Sequence, residues 1–333
     1  MRALVTGAGG FLGRVLSRAL LSRGHEVRAL VRPGRDVREL EALGVELARG
    51  DALDPEALAP AVRGCPLVFH LAGVRRAARR EDFVRGNVLS TRLLLDACER
   101  AGGVQRFVLA GSLAACGPSR EGRREDDPLD PHEWYGESKA DAERLVFTYR
   151  ERLPVAVARP PRIMGPGDRE NLLFFRIAAR RVVLRFLGPE RPLSWIDVDD
   201  CARGFALLGE HPAAAGNAFF LASDERTSVV DLQRAISRAV GVRPREIPVP
   251  PVVLRAAAAG ADVVTRLSGR RLPLNRKLAR QILAPGWTCD TTKARDLLGF
   301  EATAILGASL DRAVRAYRDL GWLRAPRGES AAS

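Results

Sequence analysis

Short apolar runs of strand type recur through the first half of the chain, at 3–6, 27–31, 45–48, 67–71, 107–110 and 155–158. Between them lie stretches with apolar residues at helical spacing, notably 11–22 and 88–100. Strands that are apolar throughout, alternating with amphipathic helices, predict a parallel sheet covered on both faces. After residue 160 this rhythm breaks. A Pro/Gly-rich turn at 160–167 precedes helices near 170–180 and 199–209 and a strand at 218–222. The remainder reads as helix over 228–240, 251–267, 275–283, 291–298 and 307–320, with no internal repeat.

Composition narrows the class. With 333 residues, 46% hydrophobic and 28% charged, the chain is an ordinary globular protein with enough length for a large core. The most apolar stretch, 249–265, is interrupted by Arg255 and Asp262, which argues against a membrane span but leaves a peripheral membrane contact open. The amino terminus runs directly into a strand, so no secretory leader is expected. Five cysteines, at 65, 98, 116, 201 and 289, are odd in number and lack C-x-x-C spacing. They read as reduced thiols in a cytoplasmic protein, and with four scattered histidines no metal site is expected. The net charge is +13, and only three of the 53 basic residues are lysines. The basic runs at 75–80 and 120–124 lack interleaved aromatics or a DNA-binding motif, so they read as solvated faces, with no nucleic-acid partner.

Two clusters carry candidate chemistry. Thr6-Gly7-Ala8-Gly9-Gly10-Phe11-Leu12-Gly13 leaves the first strand and opens the first helix. In that setting Gly7 permits a tight turn, Gly10 lets backbone approach a pyrophosphate, and Gly13 lets the helix pack closely on the sheet. The helix amino terminus offers its free N–H groups to phosphate. Thr6, Gly7, Gly9, Gly10, Phe11, Leu12 and Gly13 are therefore candidate cofactor-binding residues, and the fold expected is a Rossmann-type doubly wound α/β sheet with a smaller, mainly α C-terminal substrate lobe. The division expected is 1–165 for the dinucleotide-binding domain, 166–323 for a partly interleaved substrate lobe, and 324–333 for a loose tail. At the end of the second strand, where an acidic residue would bind a ribose 2′-hydroxyl, stands Arg32, with Arg35 nearby. An arginine suits a 2′-phosphate and favours NADP(H), while Asp36 keeps NAD(H) open.

The second cluster is Tyr135-Gly136-Glu137-Ser138-Lys139 at the start of a predicted helix. Positions i and i+4 share a helix face, so phenol and ammonium converge on one ligand, and a nearby cation favours phenolate. Ser112 follows the strand at 107–110, on the carboxyl edge where ligands bind in such sheets. A Tyr-x-x-x-Lys pair alone matches many unrelated helices; after the glycine turn and a strand-end serine it carries weight.

At this point the chain resembles the extended short-chain dehydrogenase/reductase superfamily across about 1–322, through TGAGGFLG, GDALD, HLAG, AGSLAACG, YGESK, RPPRIMGPGD, WIDVDDCARG and WTCDTTKARDLLGF. The resemblance implies that Asp51 and Ala52 hold the adenine end, that Leu71, Ala72 and Gly73 border the pyrophosphate and ribose, and that Pro160 and Ile163 border the nicotinamide. It implies catalytic roles for Ser112, which orients the substrate, Tyr135, which shuttles the proton, and Lys139, which binds the nicotinamide ribose. It also implies a homodimer through helices at 81–101 and 134–151.

The branch is read from departures. Sugar-nucleotide epimerases and dehydratases usually carry Asn where this chain has Arg162, and R-D-F where it has Leu193-Ser194-Trp195, with Arg191 as a substitute upstream. RPPRIMGPGD, Trp195 and the apolar stretch 249–264 look more like the 3β-hydroxysteroid dehydrogenase and dihydroflavonol reductase branch. The expected function is an NAD(P)-dependent oxidoreductase interconverting a ketone and a secondary alcohol on a small-molecule, mostly apolar substrate of steroid-, flavonoid- or terpenoid-like size. The alternatives are a nucleotide-sugar epimerase or dehydratase with tightly held NAD, and a non-catalytic NADP-sensing protein.

Overall fold

The computed structural model describes residues 1–268, 272 and 274–324. Seven strands form one all-parallel sheet: β1 (Arg2–Thr6), β2 (Glu26–Val31), β3 (Glu46–Arg49), β4 (Leu67–His70), β5 (Arg106–Ala110), β6 (Val155–Ala158) and β7 (Asn217–Phe219). Their order, β7-β6-β5-β4-β1-β2-β3, reverses direction between β1 and β4. That reversal opens a crevice beyond the carboxyl ends of these two strands, where ligands bind in sheets of this kind.

Side-chain alternation divides the sheet into two buried faces. Ala3, Val5, Ala29, Phe69, Val108 and Ala156 face one core with Leu16 and Leu20 of helix α1 (Phe11–Ser22). Leu4, Leu30, Val68, Phe107, Leu109 and Val157 face the other, against α2 (Pro55–Val62), α3 (Ser90–Ala101) and α4 (Trp134–Phe147). Helix α5 (Val198–Glu210) lies late in the chain yet returns to the first face through Cys201, Phe205 and Leu208. With β7 it completes the doubly wound Rossmann-type architecture.

The smaller lobe gathers around Met164, Phe175, Trp195, Leu232, Ile236, Leu310 and Tyr317. The short helix Leu172–Ala178 supplies Phe175, and the longer helices are α6 (Val229–Val240), α7 (Pro251–Ser268), α8 (Arg276–Leu283) and α9 (Leu306–Asp319). Three small sheets stitch it together, among them Arg162–Met164 paired with Trp195–Asp197. These strands run two to five residues and several are rich in charge, as in Ser119–Arg123, so they leave no apolar alternation to read.

The helix expected at 88–100 begins earlier. An α-turn at Arg80–Phe83 passes through a π-helical turn at Val84–Leu89 into α3. Gly86 and Asn87 explain it: a Cβ at Gly86 would lie 2.3 Å from a Val74 methyl, and the Asn87 side chain is committed to the Val74 backbone. The strand expected at 218–222 stops at Phe219, although Phe220 to Ala222 stay buried. Beyond Arg324 the tail expected at 324–333 lies outside the described residues. Among the described residues no helix is long and apolar enough to cross a membrane.

Candidate active site

The turn after β1 is built by backbone contact. Gly7 has φ +71°, and a Cβ there would sit 2.7 Å from the Ala72 nitrogen and 2.8 Å from the Leu71 carbonyl carbon. The β1–α1 turn and the end of β4 therefore touch main chain to main chain, which only glycine allows. A Cβ on Gly13 would meet the Gly7 oxygen at 2.3 Å, fixing α1 against the same turn. Gly10 caps α1, with no side-chain hydrogen bond and no acidic residue in the first turn, so the positive end of the helix faces the crevice beside Gly9, Phe11 and Leu12. These features fit the pyrophosphate of a dinucleotide.

Thr6 works inside the fold. Its hydroxyl accepts from the Ala72 N–H (3.1 Å) and meets His70 Nδ1 at 2.7 Å, while its carbonyl accepts from Leu71 (3.2 Å). His70 is buried; desolvation, reinforced by the Lys139 charge, holds its pKa down at about 3, so it stays neutral.

At the adenosine end, Arg32 follows β2 directly and is exposed. Asp36 accepts from Arg38 Nη2 (2.8 Å), Nε (3.0 Å) and the backbone N–H, which hold its carboxyl near 2. Among the described residues no ion pair engages Arg32 or Arg35. Gly50 donates to the Val31 carbonyl (3.0 Å), so Asp51 and Ala52 stand beside the end of β2.

At the reactive end three elements converge. Lys139 is 6% exposed, donates to the Ala110 carbonyl at the end of β5 (2.8 Å), and lies 5.9 Å from the Tyr135 ring centre. Burial, helped by the Arg75 charge, lowers its pKa to about 8. Ser112 caps the short turn Leu113–Ala115, and the Leu113 N–H donates to the Pro160 carbonyl (3.1 Å) beyond β6. A Cβ on Gly136 would lie 2.4 Å from the Ala114 carbonyl oxygen, so the first turn of α4 seats Tyr135 directly against the Ser112 turn. Tyr135 is half-buried with its ring edge toward Phe83. Ile163, partly buried, packs against the sheet core. The glycine turn and the Ser112–Tyr135–Lys139 cluster meet through Gly73, where a Cβ would be 3.4 Å from Lys139 Nζ.

Sequence reasoning missed the residues that hold this arrangement. Asn87 accepts from the Val74 N–H (2.6 Å), donates to the Val74 carbonyl (2.9 Å) and to Ser138 Oγ (2.8 Å), tying the Gly73 loop to α4. The Gly86-Asn87 break ahead of the predicted helix was its only signal. Arg159 and Glu143, both almost fully buried, form an ion pair that anchors α4 to β6. The basic run at 75–80 is solvent-exposed, as expected; Arg75 and Arg76 lie on the loop after Gly73, beside the reactive end, with Arg76 paired to Glu170 at 2.6 Å.

The model of the NAD-dependent epimerase/dehydratase family matches residues 3–222. The chain is 32% identical to a ceramide reductase of Caulobacter vibrioides, over 96% of this chain and 95% of that one. It is also 32% identical to a 2-alkyl-3-oxoalkanoate reductase of Stenotrophomonas maltophilia, over 89% and 93%. The crystal structure of gox2253 superposes with a TM-score of 0.82 at 29% identity, covering 97% of this chain and 99% of that one. The chain belongs to the NAD-dependent epimerase/dehydratase family of extended short-chain dehydrogenase/reductases and is an NAD(P)-dependent oxidoreductase.

Proposed function

We propose that the protein interconverts a ketone and a secondary alcohol on a mid-sized, mostly apolar substrate, drawing on NADP(H). The observation that carries this reading is the junction at Gly73, which puts Lys139 against the dinucleotide crevice and Tyr135 one helical turn away. Bound there, the nicotinamide supplies or accepts a hydride. Tyr135 gives its proton to, or takes it from, the substrate oxygen that Ser112 orients, and Lys139 holds the ribose and favours the phenolate. The similar proteins named as reductases of ceramide and of 2-alkyl-3-oxoalkanoates support a ketone on a long apolar chain. Arg32 and Arg35, free of ion pairs among the described residues while Arg38 holds Asp36, support a 2′-phosphate. A cytoplasmic homodimer through the outer faces of α3 and α4, divided at 165/166, belongs to the same reading.

A nucleotide-sugar epimerase or dehydratase is the second reading, favoured by the family description. Against it, Leu193 and Trp195 are buried in the lobe, and Arg191 is turned to the carbonyls of Phe186 and Leu187. A purely sensing role is disfavoured because Tyr135 and Lys139 are both present.

Replacing Tyr135 by Phe tests the assignment. NADPH oxidation with a panel of medium-chain ketones is expected to fall by roughly 10²–10⁴-fold, with NADPH affinity held. Retained turnover would contradict the role given to the phenol.

A further inference from the structure

We propose that Arg75 and Arg162 form a subsite for a carboxylate carried by the substrate close to the carbonyl that Tyr135 serves. This deepens the ketone–alcohol reading and rests on it. The two arginines leave the carboxyl edge of the sheet from opposite sides of the cluster. Arg75 follows Val74, whose N–H and carbonyl are both clamped by Asn87, next to the glycine that crosses over Lys139. Arg162 stands two residues beyond Pro160, whose carbonyl holds the residue after Ser112, and its backbone is paired with Trp195.

The loops that carry them meet across the cleft. Arg76 pairs with Glu170 (2.6 Å), the Glu170 N–H donates to Asp168 (2.7 Å), the Asn171 amide donates to Asp168, and Arg162 donates to Asn171 Oδ1. Arg162 also lies over the Phe174 ring, 5.3 Å from its centre. This network occupies the nearby acids: Arg76 takes Glu170, and N–H groups of residues 170 and 171 take the buried Asp168. Among the described residues no carboxylate lies within 4 Å of either Arg75 or Arg162. Both are exposed to solvent; the charge of Arg75 acts on Arg162 and Lys139, while Asp168 and Glu170 act on both guanidinium groups from beyond ion-pair distance. Guanidinium groups with no carboxylate at ion-pair distance favour a planar, bidentate anion. A carboxylate on the carbon chain and the phosphates of a nucleotide share that chemistry, and the test separates them.

Calorimetry on the NADP⁺-loaded protein would compare decanoate with decanamide, and kinetics would compare 3-hydroxydecanoate with its methyl ester. The expected result is a preference for the acid of roughly tenfold or more in both, lost in Arg75→Gln and in Arg162→Gln and partly kept in Arg75→Lys. Equal binding of decanoate and decanamide, or variants that keep the preference, would overturn the subsite. So would variants that weaken NADPH binding in proportion, or turnover of UDP-glucose abolished by the same changes, because the arginines then serve phosphates. Preferential decanoate binding without oxidation of either alcohol keeps the subsite and refutes the ketone–alcohol reading; oxidation without an acid preference does the reverse.

Discussion

His70 shows how a single side chain links the crevice to stability. It ends β4 beside Phe107, bonded to Thr6 and fully desolvated, and remains neutral down to about pH 3. The unfolded chain takes up a proton on this residue near pH 6.5. Across the window from about 6.5 to 3 the unfolded state binds more protons, so stability is lost as pH falls. Its contribution approaches about 1.4 kcal/mol per pH unit between about 4 and 6. Replacing His70 by Asn is expected to remove that slope in urea titrations repeated across this range; parallel pH profiles for both proteins would contradict the assignment. At this scale the sequence was informative where chemistry is contiguous, as in the Gly7 to Gly13 turn and the Tyr135/Lys139 spacing. It was mute on His70, because nothing local distinguishes a buried histidine at a strand end from a surface one.

At the scale of elements, α4 is the part that has to be held still, since it carries both Tyr135 and Lys139. Its anchor is the ion pair of Glu143 with Arg159, which are 1% and 4% exposed; the Arg159 guanidinium also donates to the Glu125 carbonyl (3.0 Å) and lies over the Phe220 ring. Removing one partner strands the other charge in the core. Glu143→Gln is expected to cost about 3–5 kcal/mol by denaturant unfolding, whereas Glu99→Gln, at the exposed pair with Arg152 (3.0 Å), is expected to cost under about 1 kcal/mol. Equal losses would show that burial does not set the strength of the anchor. The long elements of the main sheet were legible because α1, α3 and α5 each bury a periodic apolar face; α7 buries only Leu254 and Ala258 and leaves Val252, Val253, Val263, Val264 and Leu267 exposed. The π-helical turn at Val84–Leu89 and the short strands of the lobe were not, because they answer to contacts distant in sequence, such as Asn87 with Val74 and Trp287 with Ser119.

At the scale of the molecule, the reversal between β1 and β4 opens a crevice with Arg32 toward one end and the Tyr135 cluster at the other. The sheet class followed from the strand rhythm in the sequence; the return of α5 and β7 from the second half to the first sheet needed three dimensions. The proposed reductase exchanges NADP(H) with solution at this crevice and does not retain NAD for an internal redox cycle. The most direct measurement is to denature the purified protein, identify any released nucleotide by mass spectrometry, and titrate the intact protein with NADPH and NADH. Little bound nucleotide is expected, with an NADPH preference of roughly tenfold or more that Arg32→Gln removes. Near-stoichiometric NAD in the denatured sample, with no NADPH preference in the intact protein, would contradict it.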